Sequence, residues 1–537
     1  MLLKIIRPWL AIIAILGILF GVTGCKPAAS QIPPALTPGQ SSPTPTPTSG
    51  PVNLLNPGFE EKDASGAPAG WTSTGAVDAV LIEEKGHSGS FRLTHTAAKT
   101  YRVDTSQVVS GLANDWYTLR AWFRSSGKQV EEYLALTCGN SEKRAYVPST
   151  SPGYRWIQLA VSNQVTDGLC TISLHSFGTA NSWVSMDDVE LAPGQAALSI
   201  LGADISSLKK SEDNGGVYKY ADGTQADALQ ILKDNGLNYA RLRVWVNPAD
   251  GYHNKAEILT MAARLKALGL KLLVDFHYAD DWADPGKQYK PAAWANDDFE
   301  KLKQDVYDYT FDVCSSLAAQ GTPADMVQVG NEINAGILWP DGDYNHLDNL
   351  AALLTSGYQA IKDASASTLV MLHVAEGGNN TMNRWFFDSM TARKVPFDVI
   401  GVSYYPFWHG TLAQLQNNLD DLSATYDKDV VVAEFAYAFT VLEGDSLANI
   451  LQPRMATDGY LFTPEGQRLM MRDVMSIVRG VQNGRGLGLF YWDATWTAVP
   501  GNGWDTKNPT SGNAWENQAL FDYTDKALPA LAEYLNP

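Results

Sequence analysis

KAEILTMAARLKALGLKLLVDFHY, residues 255–278, sets a segment with apolar residues at helical spacing directly before a strand-length apolar run. That helix-then-strand unit repeats. Apolar runs of strand length recur at 199–206 (SILGADIS), 239–246 (YARLRVWV), 271–278 (KLLVDFHY), 326–332 (MVQVGNE), 368–374 (TLVMLHV), 399–405 (VIGVSYY), 430–435 (VVVAEF) and 486–492 (GLGLFYW). Helix-period segments stand between them, among them 226–236, 350–364 and 465–484. Eight β units alternating with helices predict a (β/α)8 barrel over 194–537, in the α/β class. A doubly wound open sheet is the alternative. It is disfavoured because no Gly-x-Gly-x-x-Gly follows the first run.

Functional groups of such a barrel gather where its strands end. Reading each run to its end gives Asp204, Arg243, Asp275 with His277, Asn331 with Glu332, His373, Tyr404 with Tyr405, Glu434, and Trp492 with Asp493. Any one of these could be a satisfied core polar residue; as a set they predict a lined cleft. Glu332 and Glu434 close β-branched runs, where a carboxylate is costly to desolvate and so implies a task. Two carboxylates across a cleft are the minimum for cutting a glycosidic bond, and a gap of about 5–5.5 Å selects the retaining route. Glu332 is expected to start protonated as acid/base and Glu434 to start ionised as nucleophile, with Arg243 and Tyr404 or Tyr405 holding its charge. Asn331 is expected at the sugar 2-hydroxyl, and Trp492 at the sugar face.

The chain of 537 residues is too long for one ordinary core, and its formal charge of −18 with a pI near 4.9 argues against nucleic acid. Lys4 and Arg7 precede an apolar stretch that ends in Val22-Thr23-Gly24-Cys25. This predicts an export signal over 1–25, with Cys25 as a lipid-modified residue and the membrane met only through that anchor, on the outer face of the cell envelope. An ordinary signal with an incidental cysteine is the alternative. Residues 26–50 are rich in Pro, Ser and Thr and predict an extended tether.

From 51 to 193, short alternating runs broken by Gly, Asn and Ser predict an antiparallel two-sheet sandwich. Cys138 and Cys170 fall within it and are expected to pair outside the cell, while Cys314 reads as a small buried apolar residue. Trp71, Trp116, Trp122, Trp156 and Trp183 are candidates for a sugar platform, most of them being core.

The opening NLLNPGFE (53–60) and closing WVSMDDVEL (183–191) resemble the ends of carbohydrate-binding modules of the β-jelly-roll kind. That resemblance implies a structural calcium on Glu60 and Asp187 or Asp188; a surface carboxylate pair is the plainer reading. The stretches GADISS, RLRVWVNPADG, DFHYADDWADPGKQ, VQVGNEINAGILWP, GVSYYPFWHG, VVVAEFAYAF, FYWDATW and ENQALFDY cover essentially all of 200–530. They resemble family 53 glycoside hydrolases, the endo-β-1,4-galactanases. The resemblance implies Glu332 as acid/base and Glu434 as nucleophile. It places the substrate contacts on Arg243, His277, Asn331, His373, Tyr404 and Trp492, and makes the substrate the unbranched galactan of pectic side chains and type I arabinogalactan. No cofactor is implied for catalysis. A calcium site of bacterial members maps onto Glu443, Asp445, Asn449, Asn513 and Glu516, with Leu447 at a position where a ligand is usual. Such an ion would staple loops. The chain is expected to act as a monomer.

Three rival readings remain at this point. Another endo-β-glycanase of the same superfamily, acting on mannan, xylan or glucan, would carry the same catalytic pair. A non-catalytic glycan-binding lipoprotein is opposed by the intact acids. A metal-dependent hydrolase is opposed by the lack of a His-x-His after the first run.

Overall fold

The computed structural model describes residues 52–148, 155–457 and 459–535. The expected export signal with Cys25, and the tether at 26–50, lie outside the described residues. Two five-stranded antiparallel sheets occupy the N-terminal part. One runs in the order Thr72–Gly75, Tyr101–Ser110, Leu169–Gly178, Gln129–Cys138, Ser141–Tyr146. The other runs Val80–Glu84, Phe91–Thr96, Trp183–Pro193, Trp116–Ser125, Ile157–Gln164. Burial alternates along these strands. In 101–110, Tyr101, Val103, Thr105, Gln107 and Val109 turn inward while their neighbours are more exposed, which is the period of a sheet with one covered face. Leu119 and Phe123 of one sheet belong to the same core as Leu134, Leu136, Ile172 and Leu174 of the other. Cys138 and Cys170 lie directly opposite each other on paired strands and are disulfide-bonded.

Eight parallel strands then close into a barrel: β1 (Ile200–Asp204), β2 (Tyr239–Val244), β3 (Lys271–Phe276), β4 (Met326–Val329), β5 (Leu369–Val374), β6 (Val399–Ser403), β7 (Asp429–Phe435) and β8 (Gly486–Tyr491). β8 pairs back onto β1 in parallel and removes the sheet edges. Helices of the outer ring start on polar caps. Asp227, Asn254, Asp298, Asn379, Thr411 and Thr463 each accept a backbone N–H of the first turn.

The two-residue period of the strands stacks the barrel interior in layers. The lower layer is apolar: Ile200, Tyr239, Leu273, Met326, Met371, Val399, Val431 and Phe490. Two residues further along, or four, the inward positions become Asp204, Arg241, Asp275, Gln328, His373 and Ser403, all buried. An apolar plug therefore supports a polar floor at the C-terminal end.

β7 departs from this alternation. Val402 of β6 faces Val432, yet the next residue, Ser403, faces Glu434, so Ala433 is an extra residue on the β7 side. Strict alternation after Val431 and Ala433 would turn Glu434 out of the barrel. The bulge turns it in.

The candidate active site

Arg241 is the hub of the polar floor and is almost fully buried. Its Nη1 donates to Asp204 at 2.7 Å, and its Nη2 donates to Asp275 at 2.8 Å, Glu434 at 2.8 Å and Asn331 at 2.9 Å. Three carboxylates from three strands share this one guanidinium, which is held well above its ordinary pKa despite burial. Asp275 also meets His277 Nε2 at 3.0 Å. Burial would raise the Asp275 carboxyl, but Arg241 and His277 together bring it below the ordinary value.

Glu434 is gripped from two sides, by Arg241 on Oε1 and by the Tyr405 hydroxyl, which donates to Oε2 at 2.9 Å. Glu332 lies beyond β4, after Gly330, with a left-handed backbone (φ +48°) that few non-glycine residues adopt. Burial pushes the Glu332 carboxyl well above its ordinary value, and the charge on Glu434 adds to this; Ser403 and Arg241 oppose it. Burial also raises Glu434, against the pull of Arg241 and the Tyr405 hydroxyl. The cation and the phenol sit on Glu434, so the pair holds its charge there and its proton on Glu332.

His373 is fully buried beneath Glu332. Gln328 Nε2 donates to its Nδ1 at 2.8 Å, and its Nε2 meets Ser403 Oγ at 2.8 Å. With Nδ1 accepting, Nε2 carries the proton and donates to Ser403. The Ser403 hydroxyl is then free to donate to Glu332. Asn331 accepts from Arg241 and gives one amide N–H to Ala283 O at 2.8 Å, leaving the other for a ligand. Trp492 sits among Trp282, Trp496, Trp515 and Tyr405, with ring centroids 5.2–6.4 Å away. Trp282 in turn stacks on Trp504 at 5.4 Å.

Several expected positions need correction. Arg243 does not hold Glu434. It sits one inward step beyond Arg241, 3.5 Å from Asp493, with its guanidinium over the Trp282 ring at 4.3 Å. Its guanidinium lies against the aromatic wall, and its Nε and Nη1 have no hydrogen-bond partner among the described residues. Tyr404 is fully buried and donates to Gly410 O, away from Glu434; its neighbour Tyr405 is the one that donates to Glu434. The same alternation that points Ser403 inward points Tyr405 inward, a signal present in the sequence. His373 and His277 lie buried beneath the two glutamates. Both His277 nitrogens are occupied, Nδ1 by Trp245 and Ala283 donors and Nε2 by Asp275. In the sandwich, Trp71 packs in the core against Phe59.

Among the described residues no three His, Cys, Asp or Glu side chains gather as a metal centre. Asp445, Asn449, Asn513 and Glu516 do come together between the loops after β7 and β8. Asp445 accepts from Leu447 N and Asn513 N, and Glu516 Oε1 accepts from Asp445 N. Glu516 Oε2 and Asn449 Oδ1 are buried with no hydrogen-bond partner among the described residues. Burial, with Asp445 adjacent, pushes the Glu516 carboxyl up to about 8. Glu443 is exposed and makes no hydrogen bond to this group. In the sandwich, Glu60, Asp187 and Asp188 are taken up in holding the 87–91 turn. Glu60 accepts from Ser90 N and Phe91 N, Asp187 from His87 N, and Asp188 meets His87 Nδ1 at 2.7 Å.

The family model for glycosyl hydrolase family 53 matches residues 200–534. The chain belongs to that family. The family 53 region is 35% identical over 368 residues to the endo-β-1,4-galactanase of Bacillus subtilis (strain 168), covering 62% of this chain and 84% of that protein. It is 36% identical over 350 residues to the arabinogalactan endo-β-1,4-galactanase of Thermothelomyces thermophilus, covering 63% and 99%. Among solved structures, the Ignisphaera aggregans GH53 catalytic domain is 38% identical with a TM-score of 0.61, covering 64% of this chain and 96% of that one. A family 53 chain is a glycoside hydrolase.

Proposed function

We propose that this family 53 enzyme is a retaining endo-β-1,4-galactanase acting on pectic galactan and type I arabinogalactan. The observation that carries the mechanism is the unequal setting of the two acids, one beside a cation and a phenol, the other buried beside a charge. The printed names of the relatives support the substrate.

Glu332 donates its proton to the glycosidic oxygen as the bond breaks, and Glu434 attacks the anomeric carbon to form a glycosyl ester. Esterification removes the Glu434 charge, and with it one cause of the high Glu332 affinity for protons. Glu332, now a carboxylate, takes a proton from water that attacks the same carbon and frees Glu434. Two inversions give retention. The remaining Asn331 N–H serves the sugar 2-hydroxyl, and Trp492 offers an apolar face. Side chains alone supply these steps.

The enzyme works outside the cell, held by a lipid on Cys25; the support is the 1–25 sequence pattern. Asp445, Asn449, Asn513 and Glu516 suit a hard cation such as calcium, because two of their buried oxygens lack donors. The ion would join the loops after β7 and β8.

Reducing-sugar release from galactan, arabinogalactan, mannan and xylan tests the reading. Galactan should be cut in preference, with the first product anomer β by NMR. Glu434→Gln should abolish cleavage while galactan binding survives. Cleavage of mannan or xylan in preference, or undiminished cleavage by Glu434→Gln, would overturn it. Binding without cleavage by the wild type would favour a glycan-binding protein.

A further inference from the structure

A crevice with a volume near 1100 Å³ lies outside the catalytic floor, between the sandwich and the barrel. Its sandwich wall is aromatic. His87 stacks on Trp122 (centroids 4.0 Å apart, planes within 13°), and Trp156 stands edge-on to His87 at 5.6 Å. The barrel wall comes from the segments after β5 and β6 and the helix Leu412–Tyr426, with Trp408, Asn379 and Asn417 among its residues.

The two walls are locked together. Gln416 bridges to Gln158 of the sandwich as a strand would, accepting from its N–H and donating to its C=O, both at 2.7 Å. Gln482 adds a third bond, to the Gln158 side chain, at 2.6 Å. The crevice is therefore a built space with fixed walls.

Its chemistry is that of a polyol site. Flat aromatic faces suit the C–H faces of pyranose rings, and amides and carboxylates on the opposite wall suit hydroxyls. Asn417 and Arg155 are exposed in it with no hydrogen bond among the described residues, and Asp420 has a buried Oδ1 without a partner among them. Its volume exceeds the roughly 300–1,000 Å³ of small-molecule pockets. One loop reaches from it to the catalytic floor. Trp408 lines the crevice and stands 5.9 Å from Tyr405, whose hydroxyl holds Glu434, and 5.9 Å from Trp515.

We propose that this crevice is a composite subsite, built by sandwich and barrel together, that holds a stretch of the same neutral glycan chain several sugars away from the bond being cut. The proposal rests on the galactanase reading for the identity of the glycan. A polymer leaving the catalytic pair passes Trp408 and lies between His87–Trp122 and the barrel wall. The sandwich then acts as part of the enzyme's binding cleft, in place of an independent tethered anchor.

The test uses the full chain. In the Glu434→Gln background, affinity for β-1,4-galactan oligosaccharides of increasing length is measured by calorimetry. Trp122→Ala, His87→Ala and, on the barrel wall, Asn417→Arg are compared, with thermal melts as fold controls. Each change should weaken long oligosaccharides about 3- to 10-fold and leave short ones unaffected. The pair Trp122→Ala with Asn417→Arg should be non-additive, because both act on one bound segment. In the active enzyme, KM for polymer should rise while turnover of a short aryl glycoside stays constant. Weakening by the sandwich changes alone, or by none, overturns the composite subsite even when galactan is cleaved normally. If the wild type instead cleaves another glycan, the substrate reading fails first, and the same variants on oligosaccharides of that glycan decide the crevice separately.

Discussion

Tyr405→Phe isolates a single interaction of the catalytic pair. The variant keeps the ring, its packing and its burial, and removes only the hydroxyl that donates to Glu434 Oε2 at 2.9 Å. A hydrogen bond to a charged group contributes about 1.5–3 kcal/mol. At 1.36 kcal/mol per pKa unit, its loss raises the affinity of Glu434 for a proton by about one to two units. The sign follows from which form the hydroxyl serves: it donates to the ionised carboxylate, so removing it favours the protonated one. Activity needs Glu434 ionised and Glu332 protonated. The acid limb of the kcat/KM profile, which reports ionisation of Glu434, should therefore move about one to two units to higher pH. The alkaline limb, which reports loss of the Glu332 proton, should stay, because Glu434 is charged throughout that range in both proteins. The bell narrows from one side only. The assay is the pH dependence of kcat/KM on soluble galactan, with a melting curve to show the fold is kept. An unmoved acid limb, or one displaced to lower pH, would refute the assignment of charge to Glu434.

Three further outcomes test the framework. Arg241→Lys keeps a positive charge but cannot reach Asp204, Asp275 and Glu434 at once; it should cost about 3–5 kcal/mol in denaturant unfolding, and a loss below about 1 kcal/mol would remove Arg241 as the hub. Replacing Cys138 and Cys170 by serine opens a loop with a sequence separation of 32 and should lower stability by about 3–4 kcal/mol, read as an earlier unfolding transition of the sandwich; an unchanged transition would show that the bridge is dispensable. Calcium should raise the melting temperature in proportion to the logarithm of its concentration, and Asp445→Ala should erase that shift; equal melting in calcium and in chelator sinks the proposed cation site.

The barrel was legible in the local pattern, because eight apolar runs separated by helix-period segments have few other ways to bury both faces of a parallel sheet. It also marked the strand ends where polar residues interrupt those runs, Glu332 and Glu434 among them. Choosing between neighbours on one strand took the packing of distant strands. Arg241 and Arg243 share an inward period, and their height against Asp204 and Asp275 on adjacent strands gives Arg241 the carboxylates and Arg243 the tryptophans. Tyr404 and Tyr405 are the exception, since the alternation that turns Ser403 inward already turns Tyr405 inward. Glu434 enters the site through a bulge at Ala433, a register shift between two strands that no local pattern reveals. The crevice lies further still from any motif, since its walls come from residues some 250 positions apart that meet only when Gln416 docks on Gln158. Periodicity is local and survives in the sequence; relative height, register and docking depend on how distant strands settle against one another.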